Sequence, residues 1–176
     1  MNKIDKHKII CTYINKCIKD NKMVKRNEVN FKLDDNFKLD DNIKLDGNNF
    51  FFGIINFYLR SSFCAKTNNG IIKNLEDAIM NTITLIHFKN NEEIDNILNN
   101  FTDTYKNKNE AYGNSFSRVW HEEGEYKTAI IRLKDKLYRF EALNKGIENR
   151  VEDETIIDTL KDLCNYCIMS IIELQK

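Results

Sequence analysis

Glu154-Thr-Ile-Ile-Asp-Thr-Leu-Lys-Asp-Leu-Cys-Asn-Tyr-Cys-Ile-Met169 is the stretch whose reading decides the fold. Ile156, Leu160, Leu163, Cys167 and, just beyond, Ile171 recur at three- and four-residue intervals and form one apolar helical face. Glu154, Asp158 and Asp162 run down an adjacent line, and Asn165 continues it. Like charges so spaced repel by a few tenths of a kcal/mol (roughly 0.2–0.5) per pair, so the row does nothing for the helix itself. A row of carboxylates beside a buried face suits a hard divalent cation or a set of basic partners. Asp153 is the expected N-cap of this last helix, which runs to the end of the sequence.

Working upstream, residues 126–145 predict a second strong helix. Ile130, Leu133, Leu137 and Phe140 form its apolar stripe; Arg132, Asp135, Lys136 and Arg139 form a charged one; Gly146 stops it. With so short a connection the two helices are expected to pack antiparallel, their charged stripes facing across a groove. Two readings stay open. In one, Arg132 and Arg139 neutralise Asp158 and Asp162. In the other, the carboxylates hold Mg²⁺ and the basic groups reach a ligand's phosphates, for which arginine's fork is well shaped.

Tyr112-Gly-Asn-Ser-Phe116 precedes this pair. Gly113 suits a positive φ, and Asn114 or Ser115 is placed to cap a short helix through Trp120. The same segment also reads as a small polar loop that contacts a base or a phosphate. Further back, Leu75, Ile79, Ile83 and Ile86 predict a helix over 73–88. Ile94, Ile97, Leu98, Phe101 and Tyr105 predict another, ended by Lys106-Asn-Lys-Asn-Glu110. Ile10, Ile14, Cys17 and Ile18 mark a first helix within 3–20. Between them, the six-residue unit Phe31-Lys-Leu-Asp-Asp-Asn36 is followed by Phe37-Lys-Leu-Asp-Asp-Asn42 and Ile43-Lys-Leu-Asp-Gly-Asn48, with Asp and Asn favouring turns. The fold class is therefore mostly α, a helical bundle, with either a small β-meander or an expanded loop near residues 29–52. Residues 1–104 are expected to form an N-terminal helical region and 105–176 a C-terminal helical domain, or the two to be one continuous domain.

The 176 residues, 41% hydrophobic and 31% charged, are ordinary for a globular protein with one core. A net charge of zero gives no bulk attraction to nucleic acid or to an anionic membrane, so phosphate binding must come from a local cluster. The apolar run from Phe50 to Leu59 is too short and interrupted to span a bilayer. The polar start, Met1-Asn-Lys-Ile-Asp-Lys-His-Lys8, lacks a secretory pattern, so a cytoplasmic protein is expected. Abundant Asn, Lys and Ile point to a low-GC bacterial or phage genome. The five cysteines are odd in number, and the single Cys164-x-x-Cys167 reads as buried helix rather than a zinc or redox pair.

Four pieces in order, Tyr112-Gly-Asn-Ser-Phe116, Arg132-Leu-Lys-Asp-Lys-Leu-Tyr-Arg139, Glu154 to Tyr166, and Ile168-Met-Ser-Ile-Ile-Glu-Leu174, resemble the nucleotide modification associated domain family of phages and bacteria. The resemblance covers the last third of the chain and implies a mostly helical domain associated with nucleotide metabolism and DNA base modification. The acidic helix is also similar to the MazG-like all-α nucleotide pyrophosphatases, which present Glu-x-x-Glu and Glu-x-x-Asp to Mg²⁺ from successive helices. Here Asp158 and Asp162 are four apart, and the preceding helix supplies Arg132, Asp135 and Lys136; Glu92-Glu93 and Glu122-Glu123 are the candidate substitutes.

The resemblance implies a protein that binds a nucleotide or a nucleotide-derived phosphate compound. As an Mg²⁺-dependent pyrophosphohydrolase, it would hold the metal with Glu154, Asp158 and Asp162. Arg132, Lys136 and Arg139 would hold phosphates with Asp135 nearby, Tyr112 or Phe116 would stack on the base, and Asn114 and Asn165 would contact the ligand. The alternative is a non-catalytic module that sequesters a nucleotide or docks on a modification enzyme. A bundle of this kind is expected to form a homo-oligomer.

Overall fold

The computed structural model describes residues 1–20, 47–112, 114–145 and 155–176. They form α1 (Lys3–Lys19), α2 (Gly47–Cys64), α3 (Asn68–Asn90), α4 (Ile94–Tyr112), α5 (Ser115–Glu122), α6 (Tyr126–Asn144) and α7 (Ile156–Leu174). The expected helical bundle is the fold, with no strand among the described residues. Residues 47–52, the end of the expected meander or loop, are instead the start of α2. The rest of the repeat, like Gly146 and Asp153, lies outside the described residues.

Helix starts follow local chemistry. Asn2 Oδ1 accepts the Asp5 N–H at 2.8 Å to start α1, and Thr67 Oγ1 accepts the Gly70 N–H at 3.1 Å to start α3. A Cβ at residue 70 would sit 3.1 Å from that hydroxyl, which explains glycine there. The turn from α5 to α6 needs positive φ at Gly124 (95°) and Glu125 (56°). α7 starts on a capping box: Thr155 Oγ1 accepts the Asp158 N–H while the Asp158 carboxylate accepts the Thr155 N–H.

α3 and α7 are the central helices. α7 packs against α3 and α6, and more lightly against α1 and α4. Leu160, Leu163, Cys164, Cys167, Ile168, Ile171 and Ile172 are all buried, so its apolar face is wider than the spacing predicts. Neighbours on several sides leave its polar groups only a narrow strip. The core is one continuous cluster to which every helix contributes, from Ile14 on α1 to Phe101 on α4 and Phe140 on α6. No helix among the described residues is long and apolar enough to cross a membrane.

Lys106–Glu110 does not end a helix: α4 continues through them to Tyr112. Lys and Glu are good helix formers, and this polar turn lies beside α7, where Lys108 finds a carboxylate. That extra turn builds one wall of the site.

Candidate functional site

The acidic row of α7 separates into groups with different tasks. Asp158 is exposed, and its Oδ2 accepts from the Thr155 backbone N–H at 3.0 Å and from the Thr155 hydroxyl at 2.7 Å. These bonds hold its carboxyl below the usual carboxylate range. Asp162 is half-buried and bound on both oxygens, Oδ1 by Lys108 Nζ of α4 and Oδ2 by Lys136 Nζ of α6, each at 3.0 Å. Asp162 therefore meets basic partners, and both are lysines. Arg132 and Asp135 are exposed on α6, while Arg139 is half-buried. Glu154 lies outside the described residues, and Tyr112 is the last residue of α4.

The two described carboxylates of the row, Asp158 and Asp162, are both occupied by other partners. Asp158 is engaged by its own helix start and Asp162 is neutralised from two sides, where a hard cation needs carboxylates that converge on one point. Among the described residues, no three His, Cys, Asp or Glu side chains gather so that they could hold a metal ion. The candidate substitutes lie elsewhere. Glu92 approaches Lys161 at 3.8 Å and accepts from Asn100, and Glu122 and Glu123 are exposed at the end of α5.

Beside Asp162, α4, the start of α5 and α7 enclose a cleft of about 270 Å³. Three expected ligand residues meet there: Asn114 and Phe116 from the motif segment and Asn165 from the acidic stripe. Phe116 and Tyr166 form an aromatic wall, with ring centres 6.0 Å apart and planes at 43°. Lys108 and Asn109 add a polar rim, so Lys108 belongs both to the cleft and to the Asp162 ion pair. A cleft this size is near the lower end of small-molecule sites, which run from roughly 300 Å³ upward. It has room for a group about the size of a nucleobase and part of a sugar.

Asn114 has φ 60°, a left-handed conformation that asparagine tolerates better than most residues. It occupies the N-cap position of α5, yet its side chain makes no cap bond. Its Oδ1 accepts instead from Lys3 Nζ at 3.0 Å, and the same ammonium donates to Glu173 Oε1 at 2.8 Å. The Glu173 side chain is only 2% exposed, and its other oxygen contacts Lys176 and faces His121 at 3.7 Å. Burial pushes the Glu173 carboxyl up, but hydrogen bonds from Lys176, Lys3 and Ser117 outweigh it and leave the group below its ordinary value.

On the other side, Tyr105 lines the cleft and stacks on the wholly buried His7 ring, centre to centre 4.6 Å. His7 Nδ1 lies 3.5 Å from Cys11 Sγ and 3.4 Å from Thr102 Oγ1, and Asn165 is a further polar neighbour of the ring. Burial lowers the His7 pKa to about 4, against a smaller upward pull from Asn165, and raises that of Cys11 to about 11. Imidazole and thiol are thus both uncharged at neutral pH.

His7, Glu173, Lys108, Lys3 and Tyr166 belong to the site although the sequence does not mark them as ligand residues. His7 was within reach, since it extends the Ile10–Ile14 stripe by one turn. Glu173 lies three helical turns beyond Asp162 on the same line of α7, so the acidic stripe was read too short. Lys108 left no signal, because a lysine in a polar stretch usually faces water. The cysteines match their expectation: Cys11, Cys17, Cys164 and Cys167 are buried, with the last two thiols pushed up by burial.

Residues 108–174 match the model of the family described as Nucleotide modification associated domain 1, the family and the segment that the motifs resemble. No curated protein and no solved structure matches the chain. The matched segment starts at Lys108 and contains the cleft residues of α5 and α7 together with both ends of the Lys136–Asp162 pair.

Proposed function

We propose that this protein binds a nucleotide in the cleft between α4, α5 and α7. The base lies against the Phe116–Tyr166 wall. The rings are too close for a base to pass between them, which would take roughly 7 Å at ordinary stacking contact. The phosphates lie at the rim near Lys108 and Lys136. The observation that carries this reading is that the motif residues Asn114 and Phe116 meet Asn165 and Tyr166 in one cleft whose rim lysine also binds the acidic stripe. The description of the matched family supports the ligand class.

Binding without hydrolysis is the favoured form. Metal-assisted attack on a phosphate needs carboxylates that converge on the cation, and Asp158 and Asp162 are each engaged elsewhere. In this reading Asp162 spaces and holds the two lysines, and an incoming phosphate competes with it for them. Phe116 and Tyr166 supply the stacking surface.

A thermal-shift screen of nucleoside mono- and triphosphates, with and without Mg²⁺, tests the proposal. A ligand at one hundred times its Kd adds about 2.7 kcal/mol. For a chain of this size that raises Tm by about 5–11 °C. Phe116→Ala should remove most of the shift. If no nucleotide stabilises the protein, or Phe116→Ala leaves the shift intact, the cleft is not the site. Chromatography of the recovered ligand separates the two forms: intact nucleotide means binding, and released pyrophosphate means a pyrophosphohydrolase.

A further inference from the structure

Of the three carboxamides that line the cleft, Asn109, Asn114 and Asn165, the last two have a nitrogen neighbour behind them. An ammonium can only donate, so Lys3 fixes Asn114 Oδ1 on its own side and turns the NH₂ end away from it. The amide orientation is thereby set by chemistry, where the shape of the group would leave it open. Asn114 is held this way in a left-handed conformation that contributes no cap to α5, so local helix formation does not explain it.

Asn165 is 7% exposed, and its Oδ1 is enclosed without a hydrogen-bond partner. His7 Nε2 is likewise enclosed without a partner. The Cys11 thiol beside Nδ1 is a better donor than acceptor, which leaves Nδ1 as acceptor and places the ring proton on Nε2. That N–H needs an acceptor, and Asn165, whose side chain acts on the His7 ring, brings the second unsatisfied buried atom, its carboxamide oxygen. Asn165, like Asn114, then keeps its NH₂ end for the cleft.

We infer that the cleft selects a base carrying carbonyl acceptors, a 2,4-dioxopyrimidine such as uracil, thymine or a 5-substituted derivative, through the outward NH₂ groups of Asn114 and Asn165. This rests on the nucleotide-binding reading and specifies its ligand. An exocyclic amine, as in cytosine or adenine, would meet a donor with a donor. The small volume of the cleft favours a pyrimidine over a purine. Lys3 and His7 are positioning residues: they touch neither base nor sugar and act through the amides they orient.

The test is calorimetric titration of the full chain with dUMP, dTMP, dCMP, dAMP and dGMP. Leaving one buried donor unpaired costs about tenfold in affinity, so dUMP or dTMP should bind at least about tenfold more tightly than dCMP. Asn114→Asp replaces the outward donor with an acceptor and should lower the dUMP:dCMP ratio about tenfold or more. Lys3→Met lets the Asn114 amide turn over, so the same ratio should fall toward one while dCMP affinity stays within a few-fold. This change of ratio is a readout that a merely structural lysine would not move, and it stands even if Asn114→Asp does not fold. Nitrogen NMR of His7 should show the proton on Nε2.

Equal or tighter binding of dCMP or dAMP by the wild-type chain, still abolished by Phe116→Ala, overturns the base preference and leaves the nucleotide site standing. An unchanged ratio in Lys3→Met, or a proton on Nδ1 of His7, also overturns it. Absence of binding by all five nucleotides removes the preference and the nucleotide reading together.

Discussion

Replacing Asp162 by asparagine is expected to tighten phosphate binding, the opposite of what a metal ligand would show. Asp162 holds Lys108 and Lys136 at 3.0 Å each. A phosphate oxygen on the far side of either ammonium would then sit about 6 Å from the carboxylate. At that distance one unit charge repels another by about 0.7 kcal/mol in water and roughly 3 kcal/mol at an effective dielectric of 20. The Asp162 side chain is 27% exposed, so the aqueous end of the range is the better guide. A gain of about 0.7–1.4 kcal/mol is a three- to tenfold lower Kd. Titration with a nucleoside triphosphate in about 0.1 M and 1 M salt would measure it. The gain should shrink at high salt, where the screening length falls from about 10 to 3 Å. Two half-exposed ion pairs are lost, at about 0.2–1 kcal/mol each, so Tm should drop by a few degrees. Abolished binding, or loss of an Mg²⁺-dependent stabilisation seen in the wild type, would refute this account and return Asp162 to a metal site.

Other outcomes follow from the same geometry. Asp158→Ala removes the capping box and should cost about 1 kcal/mol, or 2–4 °C in Tm, with ligand affinity unchanged. Because its folded pKa is lowered, the stabilisation from Asp158 is present above the ordinary 3.8 and fades as pH falls through the lower folded value. His7 works in a different window. Its pKa falls from 6.5 to about 4 on burial, so folding holds it neutral. Its contribution is complete above 6.5 and is lost as pH drops toward 4, roughly 3 kcal/mol in all. Denaturant titrations from pH 7 to 4.5 should show that decline in the wild type and a flatter profile in His7→Gln; parallel profiles would exclude His7 as the cause. Glu173→Leu leaves Lys3 and Lys176 without their carboxylate. Both ammonium groups can turn to water, so the expected cost is about 1–3 kcal/mol, less than for a fully enclosed pair. Trp120, the one tryptophan of the chain, is buried with its ring centre 5.9 Å from Phe116. Its fluorescence should change as a ligand settles on the aromatic wall, and a silent signal during a positive titration would place the ligand elsewhere.

Much of the bundle is legible because burial and periodicity are local properties. The stripes Ile10–Ile14–Cys17, Leu75–Ile79–Ile83–Ile86, Leu133–Leu137–Phe140 and Leu160–Leu163–Cys167–Ile171 name core residues of four helices without reference to any partner. Composition likewise places the chain among ordinary globular proteins. The motif order identifies the C-terminal segment, and the match at residues 108–174 agrees with it.

The pairing of charges was not legible in this way. Helical spacing puts Asp158, Asp162 and Asn165 on one line, but the direction in which each side chain turns depends on what the neighbouring helices bring. Thr155, next to the helix start, engages Asp158. Lys108, fifty-four residues before Asp162, and Lys136 on α6 engage Asp162. Lys3 reaches Asn114 and Glu173 from the other end of the chain. Periodicity reports which face of a helix is apolar because water acts on every residue alike; an ion pair or a directed amide is specific to two groups that only packing brings within 3 Å. The sequence by itself therefore determined the helices, their buried faces and the segment that carries the family motifs. Only the tertiary structure decided that Asp162 and Glu173 are held by lysines and that Asn109, Asn114 and Asn165 share one cleft.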